Sequence, residues 1–466
     1  MNKNNAEINI GEFSRGALAD NKLRENLRKA TSTALIKRDE AVKISGPSFE
    51  RSRERAIAER NVSICSLREL TARFCKNAEA RGVRTFVFDD YVSALNEITK
   101  IIKEKGAGYV VKSKSMISEE IGLNDHLRAN GIEPVETDLG EFIVSLAGES
   151  PSHLTAPALH KSRRDVAELF AAKLGVKYTE NVEELAMIAR KYLREKFLDA
   201  KIGISGANFA AADNGVISIV ENECNARLSF GYPQTHIAVF GAEKIISRFS
   251  EMGSFLDILS KSATGQIANA YTSFVGACEE GHERYFIIIT KNRYKIADDP
   301  VFSEALRCVR CGACQNICPI FQRISGHGYG FTYAGPIGIA LAPFFLGYEK
   351  CSELIEASTL CGFCKKICPV KIDIPSLILE HRRRYYEDPS IVKTPFKKAK
   401  KIFSYIHSKI MSGPFLSSLI PPFIRLYFKA SKYLGGRNYI PLWDKYEKRH
   451  FMDMPEKTFM ERYFKK

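Results

Sequence analysis

Cys308-Val-Arg-Cys311-Gly-Ala-Cys314-Gln-Asn-Ile-Cys318-Pro319, followed by Cys361-Gly-Phe-Cys364-Lys-Lys-Ile-Cys368-Pro369, decides how this chain is read. The first run has the spacing C-x2-C-x2-C-x3-C-P. In that pattern three thiolates surround one face of a cubane [4Fe–4S] cluster, and the fourth, carried onward by proline, ligates the other cluster. Two-residue gaps suit turns whose backbone N–H groups also point at sulfur, and those bonds help to set a reduction potential. Zinc also uses C-x2-C pairs, but a structural zinc site needs four ligands, usually as two separated pairs. Seven cysteines in two tight runs, each closed by Cys-Pro, favour iron–sulfur over zinc and over a disulfide framework.

Crossed ligation places Cys308, Cys311 and Cys314 with Cys368 on cluster one, and Cys318 with Cys361 and Cys364 on cluster two. The second run lacks its first cysteine; Ser358 stands three residues before Cys361. Four alternatives remain for that corner: the Ser358 oxygen, Cys351 folded back, a ligand from outside the chain, or none. An open corner makes cluster two site-differentiated or a [3Fe–4S] centre. The scattered Cys65, Cys75, Cys224, Cys278 and Cys351 read as small buried hydrophobes. The segment between the runs is Gly-rich from Gly326 to Gly338, then apolar from Ile339 to Leu346. Its glycines suit close backbone approach, and no dinucleotide fingerprint fits there. His327 reads as a loop histidine in ordinary hydrogen bonds, with a position facing a cluster as the alternative.

A chain of 466 residues with 45% hydrophobic residues has material for two or three domains. The division expected is a basic helical arm over 1–60, an α/β domain over 61–295, a ferredoxin-type domain with two [4Fe–4S] clusters over 296–380, and a basic region over 381–466. Met1-Asn-Lys-Asn-Asn-Ala-Glu has no apolar core of a secretory signal, and no apolar stretch approaches the roughly 20 residues of a spanning helix. Reduced thiols and clusters suit a cytoplasmic setting, either free or peripheral at the inner membrane. The net charge of +15 is concentrated late, with 21 Lys and Arg against 9 Asp and Glu over residues 371–466. The runs Arg382–Arg384 and Lys397–Lys401 read as a solvated face or as a surface for an acidic redox partner or anionic lipid. No nucleic-acid motif accompanies the charge. Phe415–Phe428 is apolar, but Pro421-Pro422 divides it, which favours packing on the cluster domain.

Upstream, strand and helix patterns alternate. Thr85–Phe88, Tyr109–Val111, Val216–Val220, His236–Phe240 and Tyr285–Ile289 read as strands, and residues 92–102 and 182–193 as amphipathic helices. That alternation predicts a mostly parallel sheet covered by helices. Three polar strings fall at strand ends, where ligands of α/β sheets usually sit: Lys112–Asn124, Gly206–Gly215 with Glu221–Arg227, and Pro233–His236. Turn-making and capping are the plainer roles for the same residues.

The chain resembles the iron–sulfur B component of the bacterial three-part L-lactate utilisation system. The similarity runs in order through Lys114-Ser-Met-Ile-Ser-Glu-Glu, Glu136-Thr-Asp-Leu-Gly-Glu141, Ser152–Lys161, Gly206-Ala-Asn-Phe209, Glu221-Asn-Glu, both cysteine runs and the Gly326–Gly338 loop. The resemblance implies an α/β lactate-utilisation domain, related to the sugar-isomerase and CoA-transferase fold, followed by a helical two-cluster ferredoxin-type domain. It also implies electron transfer while L-lactate is oxidised to pyruvate, with two partner subunits. One departure from the family stands out: Cys224 occupies a place usually held by glycine, whereas the three-ligand second run is itself like the family. Glu221-Asn222 is also similar to the Glu-Asn-Gly of CoA-transferases but has Glu223 in place of that glycine. Nothing in the chain recognisably binds flavin or nicotinamide, so hydride removal is expected at a partner's site and the electrons at a downstream acceptor, with the membrane surface as a candidate place. The rival reading is a ligand-binding or CoA/acyl-transfer module with structural clusters, its chemistry in residues 61–295. A basic zinc module on nucleic acid is a third.

Overall fold

Strands covered on both faces read as continuous apolar runs, and His236-Ile-Ala-Val-Phe and Tyr285-Phe-Ile-Ile-Ile lie at the heart of such a sheet in the computed structural model. It describes residues 8–278 and 280–388, with scattered helical positions between 402 and 427. The strands among the described residues are β1 (Arg84–Phe88), β2 (Tyr109–Lys112), β3 (Glu133–Glu136), β4 (Ile202–Ser205), β5 (Phe209–Ala211), β6 (Val216–Glu221), β7 (Thr235–Gly241), β8 (Ile245–Ile246), β9 (Tyr271–Val275) and β10 (Glu283–Ile289). Six of them form a wholly parallel sheet in the order β1-β10-β7-β4-β2-β3. Every residue of β7 is buried, as are the last five of β10. The other four make a smaller mixed sheet, β8-β5-β6-β9. Val216–Val220 is therefore a buried strand, as its composition predicts, but it belongs to the second sheet.

The two helices read from periodicity are present with their caps. Asp90 accepts from the Ser93 N–H at the start of Tyr91–Glu104, which buries Ala94, Ile98, Ile101 and Ile102 against the sheet. Asn181 caps Val182–Leu198, whose Leu185, Ala189, Leu193 and Phe197 pack into a separate core under β2 and β3. Cys224 adopts φ 62°, the left-handed conformation that glycine tolerates best, at a steric cost of about 1–2 kcal/mol.

Residues 10–65 form three helices, Ile10–Ala19, Asn21–Ser45 and Pro47–Cys65. They do not project as an appended arm. Leu27, Ala41, Phe49 and Ala56 are buried, and Phe49 and Ala56 share one continuous core with Phe240 of the large sheet and with Phe302, Phe321 and Leu341 of the cysteine-rich part. The helical segment, the α/β part and the cysteine-rich part thus lie within one compact unit that ends at residue 385. A shared core explains why the divisions expected near residues 60 and 295 are not gaps in packing. Arg384, from the basic run, pairs with Asp299 (2.6 Å) and Glu380 (2.7 Å), and Arg382 donates to the Ile355 carbonyl oxygen. Lys397–Lys401 and Phe415–Phe428 lie largely outside the described residues.

Candidate metal centre

Each cysteine run folds as the same short backbone unit. Arg310 (φ 61°) and Gly312 (φ 76°) are matched by Leu360 (φ 54°) and Gly362 (φ 82°). Each unit then enters one short helix, Ala313–Ile317 or Phe363–Ile367, which ends at an extended cysteine, Cys318 or Cys368. Left-handed residues at these spacings curl the chain so that successive side chains converge. The Arg310 N–H donates to Cys308 Sγ (3.4 Å), and the Leu360 N–H donates to Ser358 Oγ (3.2 Å). Ser358 therefore stands in its unit where Cys308 stands in the first.

The units exchange their last cysteines. Cys308, Cys311 and Cys314 line one cavity with Cys368, which is 54 residues beyond Cys314; the rest of the wall is largely apolar, with Leu154, Val309, Ile337, Ile372 and Ile374. Cys318 lies instead within electrostatic range of Cys361 and Cys364. Burial pushes the Cys311 thiol up to about 12 and Cys368 to about 11, while backbone N–H groups of Ala313 and of Ile372 and Val370 work in the other direction by favouring thiolate. Cys364 is likewise raised to about 12, first by burial and then by the neighbouring Cys318. Four converging thiols, N–H donors aimed at the sulfurs and a dry wall are a donor set that fits a cluster of soft iron and sulfide. An uncompensated set of thiolates here would be costly, and bound cationic iron removes that cost.

Three arginines missed by sequence reasoning serve this region. Arg53 donates to the carbonyl oxygens of Cys368 (2.8 Å) and Pro369 (3.0 Å), and Arg38 to that of Ile367 (3.0 Å). Both lie in helices of ordinary charged composition, so no local signal marks them. Arg310 sits inside the first run itself, its guanidinium carbon 4.0 Å from the centre of the Tyr333 ring.

The remaining expected residues take structural roles or line a second cavity. His327 Nε2 bonds the Ser150 carbonyl oxygen (2.7 Å), the ordinary loop role. Cys351 is buried, with Lys350 as the charged group acting on its thiol. Among the other scattered cysteines, Cys65 is exposed and Cys75, Cys224 and Cys278 are half-buried. Lys112 is buried and consumed by Glu136 (2.8 Å); burial opposes its charge, but Glu136 and Glu119 hold it firmly protonated. Lys114 and Ser115 line a cavity at the strand ends, together with Asn208, Glu221 and Arg310.

A buried ion network ties these strand ends to the Gly-rich segment. Arg293 pairs through both terminal nitrogens with Glu120 (2.7 Å each) and through Nε with Glu243 (2.9 Å). The Tyr333 hydroxyl donates to Glu120 (2.6 Å), as does that of Tyr91 (2.7 Å). Burial works against the Arg293 charge, yet Glu120 and Glu243 hold it well above its ordinary value; Arg293, with Arg310 and Lys244, in turn keeps the Glu243 carboxyl down at about 2 against its own burial.

A parallel α/β sheet leading into two interlocked cysteine units defines the class: an iron–sulfur protein with an α/β domain ahead of its cysteine-rich part. Family comparison agrees: residues 71–297 match the LUD domain and residues 304–372 the 4Fe-4S dicluster domain. The chain belongs to the lactate utilization protein B family. It is 39% identical over 398 residues to "Lactate utilization protein B" of Bacillus licheniformis, covering 84% of this chain and 81% of that one. It is 42% identical over 334 residues to the protein of the same name from Geobacillus sp. (strain WCH70), covering 70% of each. Against that of Bacillus cytotoxicus it is 40% identical over 333 residues, covering 71% of this chain and 70% of the other.

Proposed function

We propose that this chain is the electron-carrying component of a multi-protein system that oxidises L-lactate to pyruvate. Cys308, Cys311, Cys314 and Cys368 hold one [4Fe–4S] cluster, and Cys318, Cys361 and Cys364 hold the second. When bound, each cluster supplies one-electron redox chemistry; two of them match the two electrons lost by lactate. The protein's own residues set the surroundings: backbone N–H groups bond the sulfurs, Arg38 and Arg53 bring positive charge to cluster one, and the apolar wall excludes water. Two other subunits act with it, one of them removing hydride from lactate, and an acceptor at the membrane surface takes the electrons. No helix among the described residues is long and apolar enough to cross a membrane.

The observation that carries this reading is the convergence of Cys368 with the first three cysteines in a dry cavity, within a chain whose relatives are named for lactate utilization. Anaerobically purified protein is expected to contain about eight iron and eight sulfide, or about seven iron with one corner open. In the assembled system, L-lactate is expected to bleach the brown chromophore. Stoichiometric zinc without sulfide, or clusters that lactate leaves oxidised, sinks the proposal.

Ser358 fills the fourth position of cluster two in this reading, because it repeats the place of Cys308. A thiolate binds cluster iron more strongly than a hydroxyl that must first lose its proton. Ser358→Cys is therefore expected to raise iron content toward about eight, slow oxidative loss of the cluster and shift its potential. Cys351→Ala is expected to leave iron content and EPR spectrum as they were. If Ser358→Cys matches wild type in iron, spectrum and potential, Ser358 does not face cluster two.

A further inference from the structure

The cavity at the strand ends carries an inference of its own. It measures about 290 Å³ and opens where β2, β4 and β7 finish, with the smaller sheet on one side and Val309, Arg310 and Tyr333 on another. Its size lies at the lower end of ligand pockets, suited to a small acid and too small for a dinucleotide.

The charges facing this space are unevenly satisfied. The carboxylates on its wall are engaged by backbone: Glu221 accepts from the N–H groups of Ala226 and Arg227, Glu223 from that of Leu139, and Asp138 from that of Glu141. Arg310 is different. Its side chain is 9% exposed, and its Nε and Nη1 atoms are buried with no hydrogen-bond partner. Glu243, its nearest carboxylate, is 3.6 Å away and is already bonded by Arg293. Lys114 reaches the Leu154 carbonyl oxygen and makes no salt bridge among the described residues. A guanidinium cannot shed its proton, so buried donors without acceptors call for an oxygen-bearing anion. Glu221, Glu223 and Asp138 nearby disfavour a doubly charged group. Ser115 and Asn208 add neutral groups that suit a hydroxyl or oxo substituent. Gly206 leaves the room that Ser115 occupies, since a Cβ there would lie 2.7 Å from Ser115 Oγ.

We propose that this cavity binds a small organic monocarboxylate, its charge held between Arg310 and Lys114. Such a ligand lies against the chain segment that joins the first two thiols of cluster one. The choice of lactate and pyruvate as probes and the EPR readout of cluster one rest on the function proposed above; saturable binding and its loss in Lys114→Gln do not.

The test uses anaerobically reconstituted full-length protein. It is titrated calorimetrically with L-lactate, pyruvate, acetate and inorganic phosphate, and the EPR spectrum of the reduced protein is recorded with and without each probe. Saturable binding of at least one carboxylate is expected, weakened at least tenfold in Lys114→Gln and in Arg310→Gln, with a change in the EPR line shape on saturation. Where Arg310→Gln loses iron, Lys114→Gln decides, because it lies outside the cysteine runs. No saturable binding by any of the three carboxylates, affinity unchanged in Lys114→Gln, or binding of phosphate alone overturns the proposal. Binding that leaves the EPR spectrum unmoved overturns the placement against cluster one. Binding of acetate with no response to lactate or pyruvate supports the carboxylate site and counts against the lactate reading.

Discussion

Cys368→Ala is expected to remove the cluster held by Cys308, Cys311 and Cys314, taking iron content from about eight to about four while leaving the signal of the other cluster in place. The reason is the exchange between the two backbone units: Cys368 belongs by sequence to the second run but lines the cavity of the first. Losing one thiolate there opens a cubane corner in a wall of Leu154, Ile337, Ile372 and Ile374, which offers no replacement ligand. Cys318→Ala is expected to do the reverse and strip the cluster of Cys361 and Cys364. Iron analysis with EPR on both variants checks the pair. Loss in each variant of the cluster belonging to its own run contradicts the crossed assignment.

Arg293→Met is expected to lower stability by about 3–5 kcal/mol, the usual result of leaving buried carboxylates without their partner. Glu120 and Glu243 both bond this one guanidinium, and Arg293, Glu120 and Glu243 are each less than 5% exposed. Methionine fills much of the space but offers no donor. The shift is read from the urea midpoint of the anaerobic protein. Adding Glu120→Gln to Arg293→Met is expected to recover part of the loss, because one orphaned charge disappears. A single variant within about 1 kcal/mol of wild type shows that the network is structurally idle.

The parts of this architecture that sequence made legible are those where chemistry or burial constrains residue type at fixed spacing. Thiols two and three residues apart stand out in any sequence, so the crossed grouping could be inferred from spacing and Cys-Pro, and the folded chain brings Cys368 to the cavity of Cys308, Cys311 and Cys314. Ile237–Phe240 of β7 and Tyr285–Ile289 of β10 are continuous apolar runs because both faces are buried there, and such runs stand out. β5 and β8, with three and two residues, are too short to carry a period. Val216–Glu221 could be recognised as buried, but an apolar run does not say which sheet it joins. Arg38, Arg53 and Arg310 were unreadable for another reason: Arg38 and Arg53 look like ordinary surface arginines until distant backbone meets them, and Arg310 until the Tyr333 ring and Glu243 cover it. The second unit's debt to the first, with Ser358 at the place of Cys308, became visible through left-handed residues that only a folded backbone displays.

The bonds from Arg38 and Arg53 to the end of the second cysteine run also bear on how the molecule is made. Their partners lie 315 to 329 residues further along the chain. The helices that carry these arginines leave the ribosome well before their acceptors, which follow only after the whole α/β part has been synthesised. The two ends of the unit must therefore find each other after translation has passed residue 369, a closure over long sequence separation that is intrinsically slow. A nascent chain halted earlier exposes the faces of Phe49 and Ala56 without the body they pack on. Such an incomplete product presents apolar surface of the kind that chaperones and proteases recognise, and the finished unit hides it.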